Sequence, residues 1–300
     1  MKVFVTGATG FVGSAVVRDL LAAGHEVTGL ARSDEAAARV AAAGAGVHRG
    51  SLADPDRLRA GAAAADGVVH TAYIHDFSPT GDPVAAAQAD ARAIEALGSA
   101  LAGSGRPLVV ATGAALLGPG KPATEDDDLP GDPMHPRLSE QTALPLAGQG
   151  VRVSVVRLPP SVHGEGDYAF VPFMIGIARS TGRAAYVGDG ANRWAAVHRV
   201  DAARLFRIGL ESAPAGARLH AVGDDGVPFR EIARVIGRHL DIPLVSVTAE
   251  EAPGQFGGLA QFAAADLPAT AALTRERFGW RPAQPGLIAD LDAGHYFAGG

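Results

Sequence analysis

The sequence contains no cysteine and, in 300 residues, only two lysines, Lys2 and Lys121. Without cysteine the chain has no disulfide framework, no thiol nucleophile and no thiolate metal site. No apolar run reaches the length of a membrane-spanning helix, and the first strand starts without a signal peptide, so we expect a cytoplasmic protein. The net charge of −6 argues against nucleic acid or an anionic membrane as a partner.

The first 33 residues carry the clearest local pattern. Residues 2–5 and 27–30 are short apolar runs that read as buried strands, and apolar residues recur at helical spacing between them. Gly7, Gly10 and Gly13 form a glycine-rich first turn. Such a turn lets the backbone approach a pyrophosphate, which then faces the positive end of the helix. The pattern predicts a dinucleotide-binding β-α-β unit.

The spacing Thr6-Gly-x-x-Gly-x-x-Gly13 differs from G-x-G-x-x-G. Directly after an N-terminal strand it resembles the short-chain dehydrogenase/reductase superfamily, in its atypical and extended (epimerase/dehydratase-like) branches. The resemblance implies an α/β fold, a Rossmann doubly wound parallel sheet with a small C-terminal α/β substrate subdomain. It extends over nearly the whole chain and is most specific at the N-terminus.

The end of the second predicted strand bears on the choice between NAD and NADP. Related proteins that prefer NAD carry an acid where this chain has Ala31, and that acid binds the adenosine ribose. Arg32 follows, and a guanidinium suits the 2′-phosphate of NADP(H). We read Ser33 as the N-cap of a helix with Asp34 and Glu35 in its first turn. NADP(H) is therefore favoured over NAD(H), while a ribose contact from Asp34 or Glu35 is the alternative.

The resemblance implies cofactor contacts from four further turns. The contacts implied are Gly7, Thr9, Gly10, Phe11, Val12 and Gly13 at the phosphates, Arg32 and Ser33 at the 2′-phosphate, Ser51 and Leu52 at the adenine, and Thr71, Ala72, Pro160, Ser161 and Val162 around the nicotinamide end.

The resemblance also divides the chain. Residues 1–160 would form the NADP-binding domain, with 195–222 returning to it, and 161–194 and 223–300 the smaller substrate-binding subdomain. Residues 186–201 resemble the family segment G-D-G…R…H-V-D, although the stretch from Arg193 to His198 is one residue longer than usual. The proline-rich polar stretch 119–136 predicts a long loop, and 137–147 a helix.

The family's catalytic Tyr-x-x-x-Lys pair is missing. Four residues after the four tyrosines stand Phe77, Pro172, Gly190 and Gly300. Alignment instead puts Glu140 or Gln141 at the lysine and Pro136 or Arg137 at the tyrosine. The replacement candidates are Thr112 and Tyr73 for catalysis, and His163, Tyr168 and Arg193 for the substrate.

Three functions remain open from the sequence. The first is an NADP(H)-dependent oxidoreductase acting on a small carbonyl or hydroxyl compound. The alternatives are an epimerase/dehydratase-like enzyme for nucleotide sugars, in which Arg193 holds a phosphate, and a non-catalytic NADP-binding sensor. The expected partner is a small-molecule substrate, a homodimer is compatible with the sequence, and no histidine spacing suggests a metal.

Overall fold

A computed structural model describes residues 1–75, 81–114, 121–128 and 138–298. The loop predicted at 119–136 therefore lies partly outside the described residues, and Pro136 and Arg137 lie outside them. The described chain alternates strands and helices through its first 160 residues, which is the pattern of a parallel α/β sheet.

Seven parallel strands form the central sheet in the order β10-β6-β5-β4-β1-β2-β3. A second sheet has the order β11-β9-β7, and a third pairs β12 with β8. The strands are β1 Lys2–Thr6, β2 Glu26–Ala31, β3 Gly46–Arg49, β4 Gly67–His70, β5 Pro107–Gly113, β6 Arg152–Leu158, β7 Ser161–His163, β8 Ala184–Val187, β9 Arg193–His198, β10 Ala217–His220, β11 Asp224–Pro228 and β12 Leu244–Val247.

Helices cover both faces of the central sheet, because its strands are apolar on both sides. Val3, Val5 and Val109 pack with α1 and α7 on one face, whereas Phe4 and Val110 pack with α3 and α4 on the other. The helices are α1 Phe11–Ala22, α2 Asp34–Ala42, α3 Pro55–Ala63, α4 Pro83–Leu101, α5 Ser139–Ala143, α6 Phe170–Thr181, α7 Arg199–Ser212, α8 Phe229–Leu240, α9 Ala252–Phe256, α10 Ala260–Ala264, α11 Ala272–Phe278 and α12 Leu287–Asp292.

This architecture confirms the predicted doubly wound α/β fold. The strand order reverses between β1 and β4, which are hydrogen-bonded neighbours with Thr6 opposite His70. Ligands of such sheets bind beyond the carboxyl ends of the strands at this reversal. The candidate site therefore lies where β1 gives way to the glycine-rich turn and β4 to Thr71.

The C-terminal residues build a separate apolar cluster. It centres on Trp194 and Phe229, whose ring centroids lie 4.9 Å apart in an edge-to-face contact, and includes apolar residues of α6 and α8. Residues 199–220 belong instead to the central sheet, because α7 packs on α1 and β10 pairs with β6 at the edge of that sheet.

The helix predicted at 137–147 differs from the structure. The α-helix ends at Ala143, and residues 144–149 form a 3-10 helix that contains Pro145. Proline has no backbone N–H, and its ring collides with the carbonyl four residues earlier, so the α-helical hydrogen-bond pattern cannot continue past this point.

Candidate functional site

The glycine-rich turn is packed too tightly for side chains at two of its positions. Gly7 has a φ of +71°, and a Cβ on Gly13 would come within 2.0 Å of the Gly7 carbonyl oxygen. The Thr71 hydroxyl donates to the Thr6 carbonyl at 2.8 Å, which fixes the start of the β4 turn against β1. These contacts explain why glycine is needed here, and they hold the turn at the strand reversal.

Helix α1 begins in this turn with an unneutralised positive end. Its N-cap is Gly10, which has no side chain to accept from the helix, and its first turn contains no acid. Among the described residues, the backbone N–H groups of Phe11, Val12 and Gly13 have no acceptor outside the helix. Free N–H groups and the helix dipole together favour an anion, so the turn fits the pyrophosphate of a dinucleotide.

The end of β2 is arranged as the sequence predicted. The Ser33 hydroxyl accepts the Ala36 N–H at 3.2 Å, which confirms Ser33 as the N-cap of α2. Asp34 is ion-paired with Arg49. Arg32 is exposed and has no hydrogen-bonding or ionic partner among the described residues. The pairing of Asp34 weakens the alternative in which that carboxylate binds a ribose.

A second arginine reaches this region, and the sequence analysis missed it. Arg39 of α2 donates from Nη2 to the carbonyl oxygen of Thr9 at 2.7 Å. The contact places a guanidinium beside both the glycine-rich turn and the end of β2. No motif in the sequence marks Arg39 for this contact.

The remaining predicted cofactor residues line neighbouring turns. Ser51 and Leu52 are half-buried after β3, and the Ser51 hydroxyl accepts from the Ala53 N–H at 3.3 Å. Ser161 begins β7, and its buried hydroxyl has no partner among the described residues. Pro160 and Val162 flank Ser161 in the chain, and Ala72 follows Thr71 after β4.

Thr112 carries an unused hydroxyl. It is the second-to-last residue of β5 and is 1% exposed. Its Oγ1 has no hydrogen-bond partner among the described residues. By strand alternation it shares a face with Val110, which packs towards α4. It stands opposite Arg157 in the pairing of β5 with β6. Tyr73, the other catalytic candidate, is half-buried with its ring 5.0 Å from that of His75.

A chain of buried polar groups occupies the same face of the sheet. The hydroxyl of Thr6 meets His70 Nδ1 at 2.7 Å, and His70 Nε2 meets Asp90 Oδ1 at 2.9 Å. The Ser139 hydroxyl donates to Asp90 Oδ2 at 2.6 Å. The chain links β1, β4, α4 and α5. The partners of Asp90 lie 20 and 49 residues away in the chain, so no local pattern predicts them.

The positions of the missing catalytic pair are occupied differently. Glu140, one of the two residues aligned with the lysine, is buried and bonded to Arg157 and Arg218. Gln141 is exposed on the same short helix. Pro136 and Arg137 are outside the described residues. Glu140 is therefore held by two arginines inside the protein and carries the charge opposite to that of lysine.

The predicted substrate residues do not form one group. The ring of Tyr168 packs edge-to-face on Phe11 with centroids 6.1 Å apart and is 61% exposed. His163 is instead fully buried, with Nδ1 at 2.8 Å from Asp290 Oδ2. Burial opposes ionisation of Asp290, but the hydrogen bond from His163 lowers its pKa below the usual range. His163 thus has a carboxylate partner within the protein at the position where a substrate contact was predicted.

Arg193 is engaged within the protein. Its Nε and Nη2 donate to the two carboxylate oxygens of Asp266 at 3.0 and 2.8 Å. The hydrogen bond from Arg193 also lowers the pKa of Asp266. The carboxylate occupies the planar fork that a substrate phosphate would need.

The sequence model of the NAD dependent epimerase/dehydratase family matches residues 3–221. This chain therefore belongs to that family, as its glycine-rich turn and strand order indicate. An uncharacterized protein of Schizosaccharomyces pombe is 50% identical over 298 residues, covering 99% of this chain and 100% of the relative.

Two more distant relatives are reductases. A 4-hydroxy-2-methyl-3-oxo-4-farnesyl-3,4-dihydroquinoline-1-oxide ketoreductase of Stigmatella aurantiaca is 30% identical, covering 72% of this chain and 66% of its own. A 2-alkyl-3-oxoalkanoate reductase of Stenotrophomonas maltophilia is 27% identical, covering 82% of this chain and 77% of its own.

Solved structures share the fold. The dTDP-glucose 4,6-dehydratase DesIV of Streptomyces venezuelae, solved with NAD and TYD bound, superposes with a TM-score of 0.77 at 21% identity, over 98% of this chain and 96% of that one. Within the described ranges, no helix is long and apolar enough to span a bilayer, and no cluster of three or more metal-ligating side chains occurs.

Proposed function

We propose that this protein is an NADPH-dependent reductase of ketones that carry an apolar group. The observation that carries the cofactor preference is the contrast at the end of β2, where Asp34 is paired with Arg49 while Arg32 is unpaired and exposed. A free guanidinium attracts a 2′-phosphate and offers nothing comparable to a 2′-hydroxyl. Arg39, beside Thr9, adds positive charge to the same place.

The substrate class is inferred from relatives and from the surface around the site. The names of both reductase relatives describe oxo compounds bearing farnesyl or alkyl chains. In this chain Tyr168 is 61% exposed over the glycine-rich turn, and Ile74, just beyond β4, is 46% exposed. Exposed apolar side chains beside a ligand crevice favour an apolar ligand.

Reduction of a ketone requires a hydride at the carbonyl carbon and a proton at the oxygen. Bound NADPH would supply the hydride, and water would supply the proton. We assign the Thr112 hydroxyl, which lacks a partner in the described structure, to donate a hydrogen bond to the carbonyl oxygen. The phenol of Tyr73 is the second candidate for that contact. Residues 161–194 and 223–300 are proposed as the substrate-binding unit, with Tyr168 at its border to the cofactor turn.

The test is a fluorescence titration with NADPH and NADH, after removal of co-purified cofactor, followed by NADPH-oxidation assays with alkyl 3-oxo esters and aliphatic ketones. We expect NADPH to bind more tightly than NADH, and Arg32→Gln to weaken NADPH about tenfold or more while sparing NADH. Arg59→Gln, an exposed arginine of α3, is the matched control. Preference for NADH would refute the cofactor assignment, and absence of turnover across the panel would refute the reductase.

The two alternatives make different predictions. An epimerase acting on nucleotide sugars needs a phosphate ligand, and the Arg193–Asp266 pair leaves that arginine's fork occupied. Titration with UDP-glucose tests this possibility directly. A non-catalytic sensor would bind NADPH and show no turnover with any ketone, and its partner protein would bind in only one redox state of the cofactor.

A further inference from the structure

Arg199 lies where positive charge is already concentrated. It is the first residue of α7, so its cation stands at the positive end of that helix, where it is electrostatically unfavourable. Its guanidinium carbon is 4.8 Å from the centroid of the Phe11 ring. Phe11 is in turn the first residue of α1, whose positive end contains no acid. Two helix N-termini and a guanidinium therefore share one small region.

No acidic side chain in the described part of the chain forms an ion pair with Arg199. Within the described ranges, no carboxylate lies within ion-pair distance of Arg199, whose Nη1 donates to the carbonyl oxygen of Glu165 at 2.8 Å. Asp201, the acid in the first turn of α7, instead accepts the backbone N–H groups of Ala283 and Gln284, both at 2.9 Å. The local excess of positive charge is thus left for another anion.

On balance, the surroundings of Arg199 disfavour its positive charge. Burial and the positive charge of Arg18 lower the pKa of Arg199, while Glu165, Asp167 and Tyr296 partly offset that decrease. A bound anion would offset the unfavourable effects of burial and of Arg18 on Arg199. Arg204, on the same helix, is exposed and makes no ion pair in the described structure, so it serves as a matched control.

We propose that Arg199 is a cofactor-binding residue that neutralises the pyrophosphate of the dinucleotide from its position over Phe11. This inference rests on the dinucleotide site of the proposed function. The first turn of α1 would hold the pyrophosphate, and Arg199 lies over the ring of that turn's first residue. The adenosine 2′-phosphate is assigned to a different place, at Arg32.

The guanidinium is held in position by the C-terminal part of the chain. The Glu165 carbonyl belongs to the turn 164–167, in which the Tyr296 hydroxyl accepts the Gly164 N–H at 3.0 Å and meets Asp167 Oδ2 at 3.1 Å. Cation–π contact with Phe11 fixes the other side of the guanidinium. Binding of the pyrophosphate would therefore join the cofactor turn to the turn that carries Tyr168.

The test compares Arg199→Gln, Arg199→Lys and Arg204→Gln for binding of NADPH, NADH and adenosine 2′-monophosphate. Because Arg199→Gln would lose a charge-assisted contact to the pyrophosphate, we expect it to raise the Kd of NADPH and of NADH by the same factor, about tenfold or more. The Kd of adenosine 2′-monophosphate, which has no pyrophosphate, should not change. Arg199→Lys should recover part of the affinity, and Arg204→Gln should match the wild type.

The outcomes separate this inference from the proposed function. If the wild type binds NADPH and Arg199→Gln binds it equally well, Arg199 has no such role and the function stands. An increase in substrate KM alone, with cofactor Kd unchanged, would place Arg199 at the substrate and overturn the inference. Equal weakening of adenosine 2′-monophosphate would also overturn it. Failure of the wild type to bind either dinucleotide would instead remove the proposed function.

Discussion

Glu140 and Arg157 form a two-pronged ion pair inside the protein. Arg157 Nε donates to Oε2 at 2.9 Å and Nη2 to Oε1 at 2.7 Å, and the two side chains are 5% and 0% exposed. Arg218 adds a third bond to Oε1, at 2.9 Å. Glu140 stands at one of the two positions aligned with the family's lysine, so the chain uses this position to join α5 to the edge of the central sheet.

This pair predicts a stability defect when one partner is removed. Glu140→Ala would leave Arg157 buried without its carboxylate and should lower the free energy of unfolding by about 3–5 kcal/mol. The double variant Glu140→Leu, Arg157→Met replaces both charges with apolar groups and should be more stable than Glu140→Ala alone. Urea unfolding monitored by circular dichroism measures both values.

The same variants test whether Glu140 has a role in cofactor binding or catalysis. Glu140→Ala, assayed at a temperature where it is folded, should retain the NADPH affinity of the wild type because the pair lies within the fold. A large loss of affinity with little loss of stability would contradict the structural role.

Thr112 allows catalysis and stability to be separated. Thr112→Val keeps the shape of the side chain and removes a buried hydroxyl that has no partner among the described residues. Because no protein hydrogen bond is lost, the free energy of unfolding should change by less than about 1 kcal/mol or rise slightly. If the hydroxyl bonds the substrate carbonyl, kcat/KM should fall about 10- to 100-fold.

Thr112→Ser is the matched control, since it retains the hydroxyl and should retain most of the activity. A Thr112→Val variant with full activity would move the carbonyl contact to Tyr73, and Tyr73→Phe would then be the informative substitution.

The parts of the fold that sequence could predict are those encoded locally. The glycine spacing and the apolar runs at 2–5 and 27–30 define a strand, a turn, a helix and a second strand within 33 residues. The Ser33 cap is equally local, since its hydroxyl bonds an N–H three residues later. Such patterns act through backbone geometry and periodicity, and the family resemblance extended them to the doubly wound sheet.

The contacts that sequence reasoning missed join residues far apart in the chain. Ser139 and Asp90 are 49 residues apart, and Arg39 reaches Thr9 across 30 residues. The Arg193–Asp266 and His163–Asp290 pairs also join residues that are far apart in the chain. A polar residue's type reveals that it needs a partner when buried, but not which partner the topology supplies.

The His70–Asp90–Ser139 group predicts a difference between two substitutions. Asp90→Ala removes the acceptor of two buried donors and should cost about 2–4 kcal/mol of unfolding free energy. Asp90→Asn should cost less, because the amide nitrogen can donate to His70 Nε2 once the ring proton moves to Nδ1, where the Thr6 hydroxyl accepts it. Chemical denaturation gives the two stabilities, and nitrogen NMR of His70 gives the tautomer. Equal costs, or an unchanged tautomer in Asp90→Asn, would contradict this account.

His220 predicts a loss of stability on mild acidification. Its Nδ1–H donates to the Thr270 carbonyl at 2.8 Å, and Arg157 Nη1 donates to its Nε2 at 3.2 Å, so the ring is held neutral. Burial and the positive charge of Arg157 lower the pKa of His220, although Glu125, Glu140 and the Thr270 carbonyl act in the opposite direction. Below about pH 6.5, the unfolded chain therefore binds a proton that the folded protein does not.

The contribution of His220 to stability should be complete above that pH and be lost as the pH falls towards the lowered pKa of the folded state, by at most about 1.4 kcal/mol per pH unit. His220→Gln can accept from Arg157 and donate to Thr270 without titrating. Urea unfolding of both proteins at pH 7.5, 6.5 and 5.5 should show the stability advantage of the wild type over the variant shrinking as the pH falls. A constant difference across this range would mean that His220 has the same protonation in the folded and unfolded states, and the neutral assignment would be wrong.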